Sequence, residues 1–181
     1  MRDLLFLAEV VPMDIASLLI LLVEDEAYTR RLVERILRDQ GARRIFAAAN
    51  GAEALDLIKA SASPFDVVIC DLRMPVMDGF AFVDAVRGGD SGADPATPIL
   101  ILTSMMDAAT VEKVLGIGVD AYALKPISAD MLVSRIASAV DPERRARMAP
   151  IRREQASRRS RLEAPTSPPA GRENAAGGGR D

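Results

Sequence analysis

Five short apolar runs alternate with helical patterns along the middle of the chain, and this alternation strongly constrains the fold. The strongest runs are Leu18–Val23, Val67–Cys70 and Ile99–Leu102. They are apolar on consecutive residues, as is typical of strands that are covered on both faces. Weaker strand patterns lie at Arg44–Ala49 and Ala121–Leu124. Strands that alternate with helices predict an α/β, doubly wound fold, in which a five-stranded parallel sheet has helices on both faces.

Each of these runs is followed by a segment with apolar residues at helical spacing. In the first segment the pattern ends at Gly41, a residue that favours helix termination. The predicted helices cover Ala27–Gln40, Ala52–Ser61, Phe80–Arg87, Ala108–Gly116 and Ala129–Val140. The sequence therefore predicts five successive strand-helix units.

Charge and composition divide the chain into a domain and two flanking segments. Residues 1–140 carry 20 acidic and 13 basic side chains, whereas residues 141–181 carry 6 acidic side chains and 10 Arg among many Ala, Pro, Gly and Ser. Such a segment buries too little apolar surface to offset its ordering entropy, so we predict a disordered tail at 141–181. Because a well-formed strand pattern begins only after Met13, residues 1–16 are interpreted as an N-terminal extension. The predicted domain covers 17–140.

Composition also excludes several classes of function. The chain has no His, which rules out Ser-His-Asp and Cys-His relays, His-bearing zinc sites and a phosphohistidine of its own. The single cysteine, Cys70, forms no internal disulfide, so a reducing, cytoplasmic location is expected. No apolar stretch approaches the ~20 residues of a membrane span. The Arg-rich tail cannot form a helix-turn-helix, so we expect no DNA-binding domain.

The residues that follow the apolar runs are chemically unusual. Function in an open parallel sheet lies beyond the carboxyl ends of the strands. Four predicted strands lead there into Glu24-Asp25-Glu26, Asp71, Thr103-Ser104 and Lys125-Pro126. Each group taken alone has an ordinary explanation as a helix cap, a turn or a loop. Together they place carboxylates, hydroxyls and an ammonium at one edge, which favours a functional site.

These groups are complementary parts of a phosphoryl-transfer site. Carboxylates from different strands repel by roughly 4 kcal/mol per close pair at an effective dielectric near 20, and a divalent cation relieves this. Oxygen ligands without His or Cys favour Mg²⁺, with Mn²⁺ as an alternative. Lys125 and Thr103 then bind phosphoryl oxygens. Asp71 is the carboxylate at the central strand end, so we infer that it is the nucleophile and forms an aspartyl phosphate.

At this point the sequence resembles a known family, the receiver domains of bacterial two-component response regulators, whose single-domain representative is the chemotaxis regulator. The resemblance covers about residues 17–140. It rests on four motifs: Leu22-Val23-Glu24-Asp25-Glu26, Asp71-Leu72-Arg73-Met74-Pro75-Val76-Met77-Asp78-Gly79, Leu102-Thr103-Ser104 and Tyr122-Ala123-Leu124-Lys125-Pro126. It implies a flavodoxin-like receiver fold with strand order 2-1-3-4-5. The chain departs from the family pattern at Ser104, where Ala is frequent, and at Glu24, where Asp is commoner.

The resemblance also implies a role for each site residue. Asp71 would accept a phosphoryl group, and Asp25, Asp71 and the backbone carbonyl of Arg73 would ligand Mg²⁺, with Glu24 acting through a bound water. Thr103 and Lys125 would bind the phosphoryl oxygens, and Tyr122 would swing inward when Thr103 moves. Pro75, Gly79 and Pro126 would shape the loops, Pro126 through a cis peptide bond.

The implied protein is a stand-alone phosphoacceptor that catalyses only its own phosphotransfer and dephosphorylation. A sensor histidine kinase or a histidine phosphotransfer protein would be its donor. Its output would be a change in the face made by the fourth helix, fifth strand and fifth helix, which binds a downstream partner or, as a further option, a second copy. The alternative is a phosphorylation-independent adaptor, a pseudo-receiver, that acts through the same face or the basic tail.

Two rival classes of enzyme are disfavoured by particular residues. A phosphotransferase of the haloacid dehalogenase type needs a second Asp two residues after the nucleophile, where this chain has Arg73. A dinucleotide-binding enzyme needs a glycine fingerprint after the first strand, where this chain has Glu24-Asp25-Glu26.

Overall fold

A computed structural model describes residues 13–89, 91–104 and 107–163. Its strands form one parallel sheet in the order β2-β1-β3-β4-β5, which confirms the predicted fold class and strand order. The strands are β1 (Leu19–Val23), β2 (Arg44–Ala48), β3 (Val67–Cys70), β4 (Ile99–Thr103) and β5 (Ala121–Leu124). Each lies within one residue of its predicted limits.

Six α-helices are present in the described part of the chain, preceded by a 3-10 turn at Ile15–Ser17. They are α1 (Ala27–Asp39), α2 (Gly51–Ala60), α3 (Gly79–Gly88), α4 (Ala108–Gly116), α5 (Ala129–Val140) and α6 (Pro142–Glu163). The first five match the predicted helices to within one residue at each end. None of the helices in the described ranges combines the length and apolarity needed to cross a membrane.

The sheet separates two apolar cores. All residues of β1, β3 and the apolar part of β4 are buried, because alternate side chains of these strands enter opposite cores. Helices α2, α3 and α4 pack on one face, and α1 and α5 on the other. The edge strand β5 alternates between buried and exposed residues, whereas β2 alternates between exposed and half-buried residues and ends at the buried Ala48. A buried Leu or Ile side chain contributes about 1.5–3 kcal/mol, so the central strands fix the position of the residues that follow them.

The prediction of a disordered tail is wrong for residues 142–163, which form α6 and pack against α3 and α5. The prediction rested on the small number of apolar residues in this segment, whereas the helix is held mainly by ion pairs. The Arg152 side chain is bonded to Asp120, and Arg153 to Asp94. Residues 164–181 of the predicted tail lie outside the described residues.

The N-terminal boundary also differs from the prediction. Ile15, placed in the predicted extension 1–16, is buried in the core beside α1 and α5. The packed part of the chain therefore begins before residue 17. The remainder of the extension, residues 1–12, lies outside the described ranges.

Candidate functional site

The sheet brings four strand ends to one edge. Val23 of β1 pairs with Cys70 of β3, and Thr103 of β4 pairs with Leu124 of β5. The residues that follow or end these strands therefore lie side by side, as the sequence analysis expects. They are Glu24, Asp25, Asp71, Thr103 and Lys125.

A buried ion-pair network occupies the centre of this edge. Lys125 Nζ is hydrogen-bonded to Glu24 Oε2 and lies 3.0 Å from Asp71 Oδ2. Glu24 is only 2% exposed and Asp71 only 8%. A single ammonium thus faces two carboxylates in an environment where water screens their charges poorly.

The pKa values of the network reflect burial and pairing. Burial raises the pKa of the Glu24 carboxyl above its usual value, and the hydrogen bond from Lys125 offsets this only in part. Burial alone would lower the pKa of the Lys125 ammonium, but its hydrogen bonds to Glu24 and Asp71 outweigh that effect and raise it. Lys125 is therefore a permanent cation at this site near neutral pH.

Three carboxylates at this edge fit a metal ion. Glu24, Asp25 and Asp71 each offer one oxygen, and these oxygens all lie within 4.8 Å of one another. Hard oxygen donors of this kind suit Mg²⁺. Asp25 is exposed and lines a groove of roughly 500 Å³, so this side of the cluster is open to solvent. The groove is lined by Asp25, Leu72, Arg73, Met74, Pro75, Asp78, Phe80 and Lys113.

The backbone of the acidic turn after β1 is held by its own side chains. Glu26 caps α1 by accepting hydrogen bonds from the amides of Tyr28 and Thr29. Arg30 Nη1 donates to the carbonyl oxygen of Glu24 at 2.7 Å. Arg30 is not predicted from the sequence, because an arginine in the first turns of an amphipathic helix has no pattern that distinguishes it from a solvated one.

The two oxygens of the Asp71 carboxylate have different environments. Oδ1 accepts a hydrogen bond of 2.7 Å from the amide of Leu72, while Oδ2 faces Lys125. The Asp71 amide itself donates to Val23 O at 2.9 Å, which ties Asp71 to the neighbouring strand. The carboxylate is therefore fixed in orientation with one oxygen directed to the ammonium.

Gly79 lets the start of α3 approach the backbone around Asp71. A Cβ added at Gly79 would collide with the Asp71 carbonyl oxygen and lie 2.9 Å from Leu72 Cα. The Gly79 amide donates to Leu72 O at 2.9 Å. Earlier in the same loop the Pro75 carbonyl oxygen accepts a hydrogen bond of 2.8 Å from the Met77 amide.

The other residues singled out from the sequence lie at or around this edge. Thr103 is buried, and its carbonyl oxygen accepts a hydrogen bond of 2.9 Å from the Lys125 amide. The Lys125–Pro126 peptide bond is cis, as the resemblance implies. Arg73 is exposed in the loop after β3, and Tyr122 is 36% exposed on β5, away from the ion-pair network.

A doubly wound sheet with an acidic cluster and a lysine beyond its carboxyl edge defines a class of phosphoacceptor module, and comparison with known proteins identifies the family. The model of the response regulator receiver domain matches residues 20–137. The chain therefore belongs to the response regulator receiver domain family, the phosphoacceptor domains of two-component signalling.

Similar proteins come from bacteria and plants. The chain is 36% identical over 109 residues to Regulator of RpoS from Escherichia coli K12, covering 60% of this chain and 30% of that protein. It is 33% identical over 114 residues to Two-component response regulator ORR41 from Oryza sativa, covering 62% of this chain and 87% of that protein. Several relatives are much longer, since the match covers only 8% of Histidine kinase 1 from Arabidopsis thaliana.

Solved structures show the same fold. Vibrio cholerae chemotaxis protein CheY4 superposes with a TM-score of 0.59 at 33% identity, covering 66% of this chain and 96% of that chain. The receiver domain of sensor histidine kinase PA1611 from Pseudomonas aeruginosa, described with a magnesium ion in its active site cleft, gives a TM-score of 0.59 at 28% identity. That match covers 67% of this chain and 95% of the receiver domain.

Proposed function

We propose that the protein is a phosphorylation switch whose acceptor is Asp71. The observation that carries this proposal is the contact of one Asp71 oxygen with buried Lys125, beside the carboxylates of Glu24 and Asp25. The Asp71 carboxylate attacks the phosphorus of a donor, a new P–O bond forms, and the donor's bond to phosphorus breaks with its electron pair leaving on the donor. The product is a mixed anhydride, an aspartyl phosphate.

Mg²⁺ is the proposed cofactor, with Mn²⁺ as a substitute. Asp25, Asp71 and the backbone carbonyl of Arg73 would be its direct ligands, and Glu24 would act through a bound water. When bound, the ion neutralises the charge that accumulates on the phosphoryl oxygens. The PA1611 receiver domain, a structural neighbour, is described with magnesium in its cleft, which supports the assignment.

The remaining roles in phosphoryl transfer belong to Lys125, Thr103 and the Leu72 amide. Lys125 moves from Asp71 Oδ2 to a phosphoryl oxygen, so its charge is never left unpaired in the buried site. Thr103 donates its hydroxyl to a second phosphoryl oxygen. The Leu72 amide holds Asp71 Oδ1 and keeps the carboxylate oriented for attack.

The phosphoryl donor is a phosphohistidine of another protein, a sensor histidine kinase or a histidine phosphotransfer protein. The chain has no histidine, so the donor group is supplied in trans. In the transfer the second ring nitrogen of the phosphohistidine carries a proton, the P–N bond breaks with its electron pair returning to the ring nitrogen, and the imidazole leaves as the neutral base. Attack of water on phosphorus later regenerates Asp71 and releases inorganic phosphate.

Phosphorylation changes the face made by α4, β5 and α5. The modification adds about −1.5 to −2 charges at the carboxyl edge of the sheet. Thr103 moves towards the new oxygens, and Tyr122 rotates inward from its exposed position. Exposed apolar side chains already lie on this face, at Tyr122, Leu124 and Met131, and a downstream protein or a second copy would bind there. We place this switch in the cytoplasm.

Intact-mass spectrometry after incubation with acetyl phosphate tests the proposal. Wild-type protein with Mg²⁺ should gain one phosphoryl group, and Asp71→Asn or removal of Mg²⁺ with EDTA should abolish the gain. Asp78→Asn is the matched control, because Asp78 is an exposed helix cap in the same loop and asparagine also caps helices. A folded wild-type protein that gains no phosphoryl group would exclude the switch and favour the phosphorylation-independent adaptor.

A further inference from the structure

A second charged cluster lies at the opposite edge of the sheet, around Asp120. This residue directly precedes β5 and is buried. Its carboxylate accepts hydrogen bonds from the Ile99 amide at 2.9 Å, from Arg87 Nη2 at 3.1 Å and from Arg152 Nη1 at 2.9 and 3.0 Å. Arg87 belongs to α3, whereas Arg152 belongs to α6. The cluster therefore joins α6 to the amino-terminal edge of the sheet.

The charges in this cluster are unbalanced when α6 is docked. Arg87 and Asp120 already form a one-to-one ion pair, and Arg152 adds a second buried guanidinium that is only 6% exposed. Burial, followed by the charge of Arg152, lowers the pKa of Arg87 to about 10. Arg152 Nε has no hydrogen-bond partner among the residues that the structure describes. Docking of α6 therefore carries a desolvation cost and a like-charge repulsion.

A few specific contacts offset this cost. Arg152 Nη2 donates to Gly118 O at 2.8 Å, and Arg153 Nε donates to Asp94 Oδ1 at 3.0 Å. The Ala156 methyl group packs against Gly89, where the absence of a side chain leaves room for it. The helix also contains Pro150, which lacks the amide that an α-helix needs at that position. The helix is thus held by a small number of polar contacts rather than by a continuous apolar face.

We propose that the amino-terminal edge of the sheet is a docking site for a cationic helix, and that α6 of the same chain occupies it reversibly. The site consists of the carboxylates of Asp94 and Asp120 and the carbonyl oxygen of Gly118. The one-residue connection at Asp141 between α5 and α6 keeps the helix next to this site after release, so rebinding is intramolecular. The family match ends at residue 137, so α6 lies outside the matched domain, whereas Asp94, Gly118 and Asp120 lie within it.

When docked, α6 contacts α3 and also Asp120, the residue before β5. Both α3 and β5 extend to the site around Asp71. Helix α3 begins at Gly79 beside Asp71 and ends under α6, and β5 runs from Ala121, next to Asp120, to Leu124, the residue before Lys125. Release of α6 therefore frees the far ends of both elements. The proposal itself does not depend on phosphorylation, and it can be tested in the unmodified protein.

Hydrogen-exchange mass spectrometry of the full chain tests reversible docking. In wild-type protein, amides of residues 145–161 should exchange faster than those of the β-sheet, which shows that α6 opens on its own. Arg152→Gln should speed exchange in this segment by tenfold or more and leave the sheet unchanged. Arg147→Gln is the matched control, since Arg147 lies on the same helix, is exposed and forms no ion pair with any described residue.

Three results would overturn the proposal. Unchanged exchange in Arg152→Gln would show that the cluster does not hold α6, and equal exchange of α6 and the sheet would show that the helix opens only on global unfolding. Protection of α6 that rises with protein concentration, together with a dimer in light scattering, would assign the occupant to a second copy. Arg153→Gln loses only the exposed bridge to Asp94 and should give a smaller, several-fold increase in the exchange rate of α6. This variant provides the test if Arg152→Gln does not fold.

Discussion

At the scale of single residues, the charges at the carboxyl edge match a divalent cation. Glu24, Asp25 and Asp71 supply three carboxylates, and Lys125 supplies one ammonium. With all groups ionised the cluster carries a net charge of −2, which one Mg²⁺ neutralises. Lys125 is then an internal counter-ion that competes electrostatically with the metal for the charge of these carboxylates.

This competition predicts the effect of Lys125→Gln. Without the ammonium, Glu24 and Asp71 depend on a metal for charge compensation, so Mg²⁺ should stabilise the variant more than the wild type. A tenfold tighter site adds about 1.4 kcal/mol of ligand stabilisation at saturating metal. Thermal unfolding with and without Mg²⁺ measures the difference, with Lys59→Gln, an exposed residue of α2, as the control. An equal Mg²⁺ effect in all three proteins would contradict the competition.

The close approach of Gly79 to the backbone of Asp71 and Leu72 gives a second prediction. Gly79→Ala should lower the free energy of unfolding by roughly 1–3 kcal/mol, because the new methyl group meets backbone atoms of Asp71 and Leu72 that cannot rotate away. Gly116→Ala is the control, since a Cβ there meets no atom of the described residues within 4 Å and alanine favours a helix. In urea unfolding, the free energy of unfolding should therefore be lower than that of the wild type for Gly79→Ala and higher for Gly116→Ala. Similar stability of Gly79→Ala and wild type would be inconsistent with this packing.

At the scale of elements, the sequence predicted what local patterns determine. The strands and first five helices followed from apolar runs and helical spacing, and the position of Asp71 and Lys125 at one edge followed from parallel topology. Helix α6 was missed because Arg152 is bonded to Asp120, 32 residues away, and such pairing has no local pattern. Arg30 was missed for a related reason, since its partner is a backbone carbonyl.

The ion pair between α6 and the loop before β4 predicts a pH dependence. The hydrogen bond from Arg153 lowers the pKa of the Asp94 carboxyl below its ordinary 3.8. A carboxyl whose pKa is lowered on docking stabilises the docked helix above pH 3.8, and this contribution disappears as pH falls through the lower, folded value. Carbon-detected NMR of Asp94 should therefore give a midpoint below 3.8 in wild-type protein.

Arg153→Gln provides the comparison for this titration. Removal of the guanidinium should move the Asp94 midpoint upward towards 3.8, since the main cause of the lowered pKa is lost. A wild-type midpoint at or above 3.8, or one that does not move in Arg153→Gln, would show that the bridge does not form in solution.

At the scale of the whole molecule, the sheet separates two charged clusters. The carboxyl edge carries an acidic cluster with one lysine, and the amino edge carries arginines around Asp120. Helix α3 and strand β5 each extend from one edge to the other. The receiver domain thus has its proposed chemistry at one end and the docked helix α6 at the other, joined by α3 and β5.

Chemical mapping of the phosphorylated chain tests whether Asp71 is the residue that takes the phosphoryl group. Protein treated with acetyl phosphate and Mg²⁺ is reduced with borohydride, which converts an aspartyl phosphate to homoserine, and is then digested and sequenced by tandem mass spectrometry. We predict homoserine at position 71 alone, and none when Mg²⁺ is omitted. Homoserine at another aspartate with residue 71 unchanged would contradict the account.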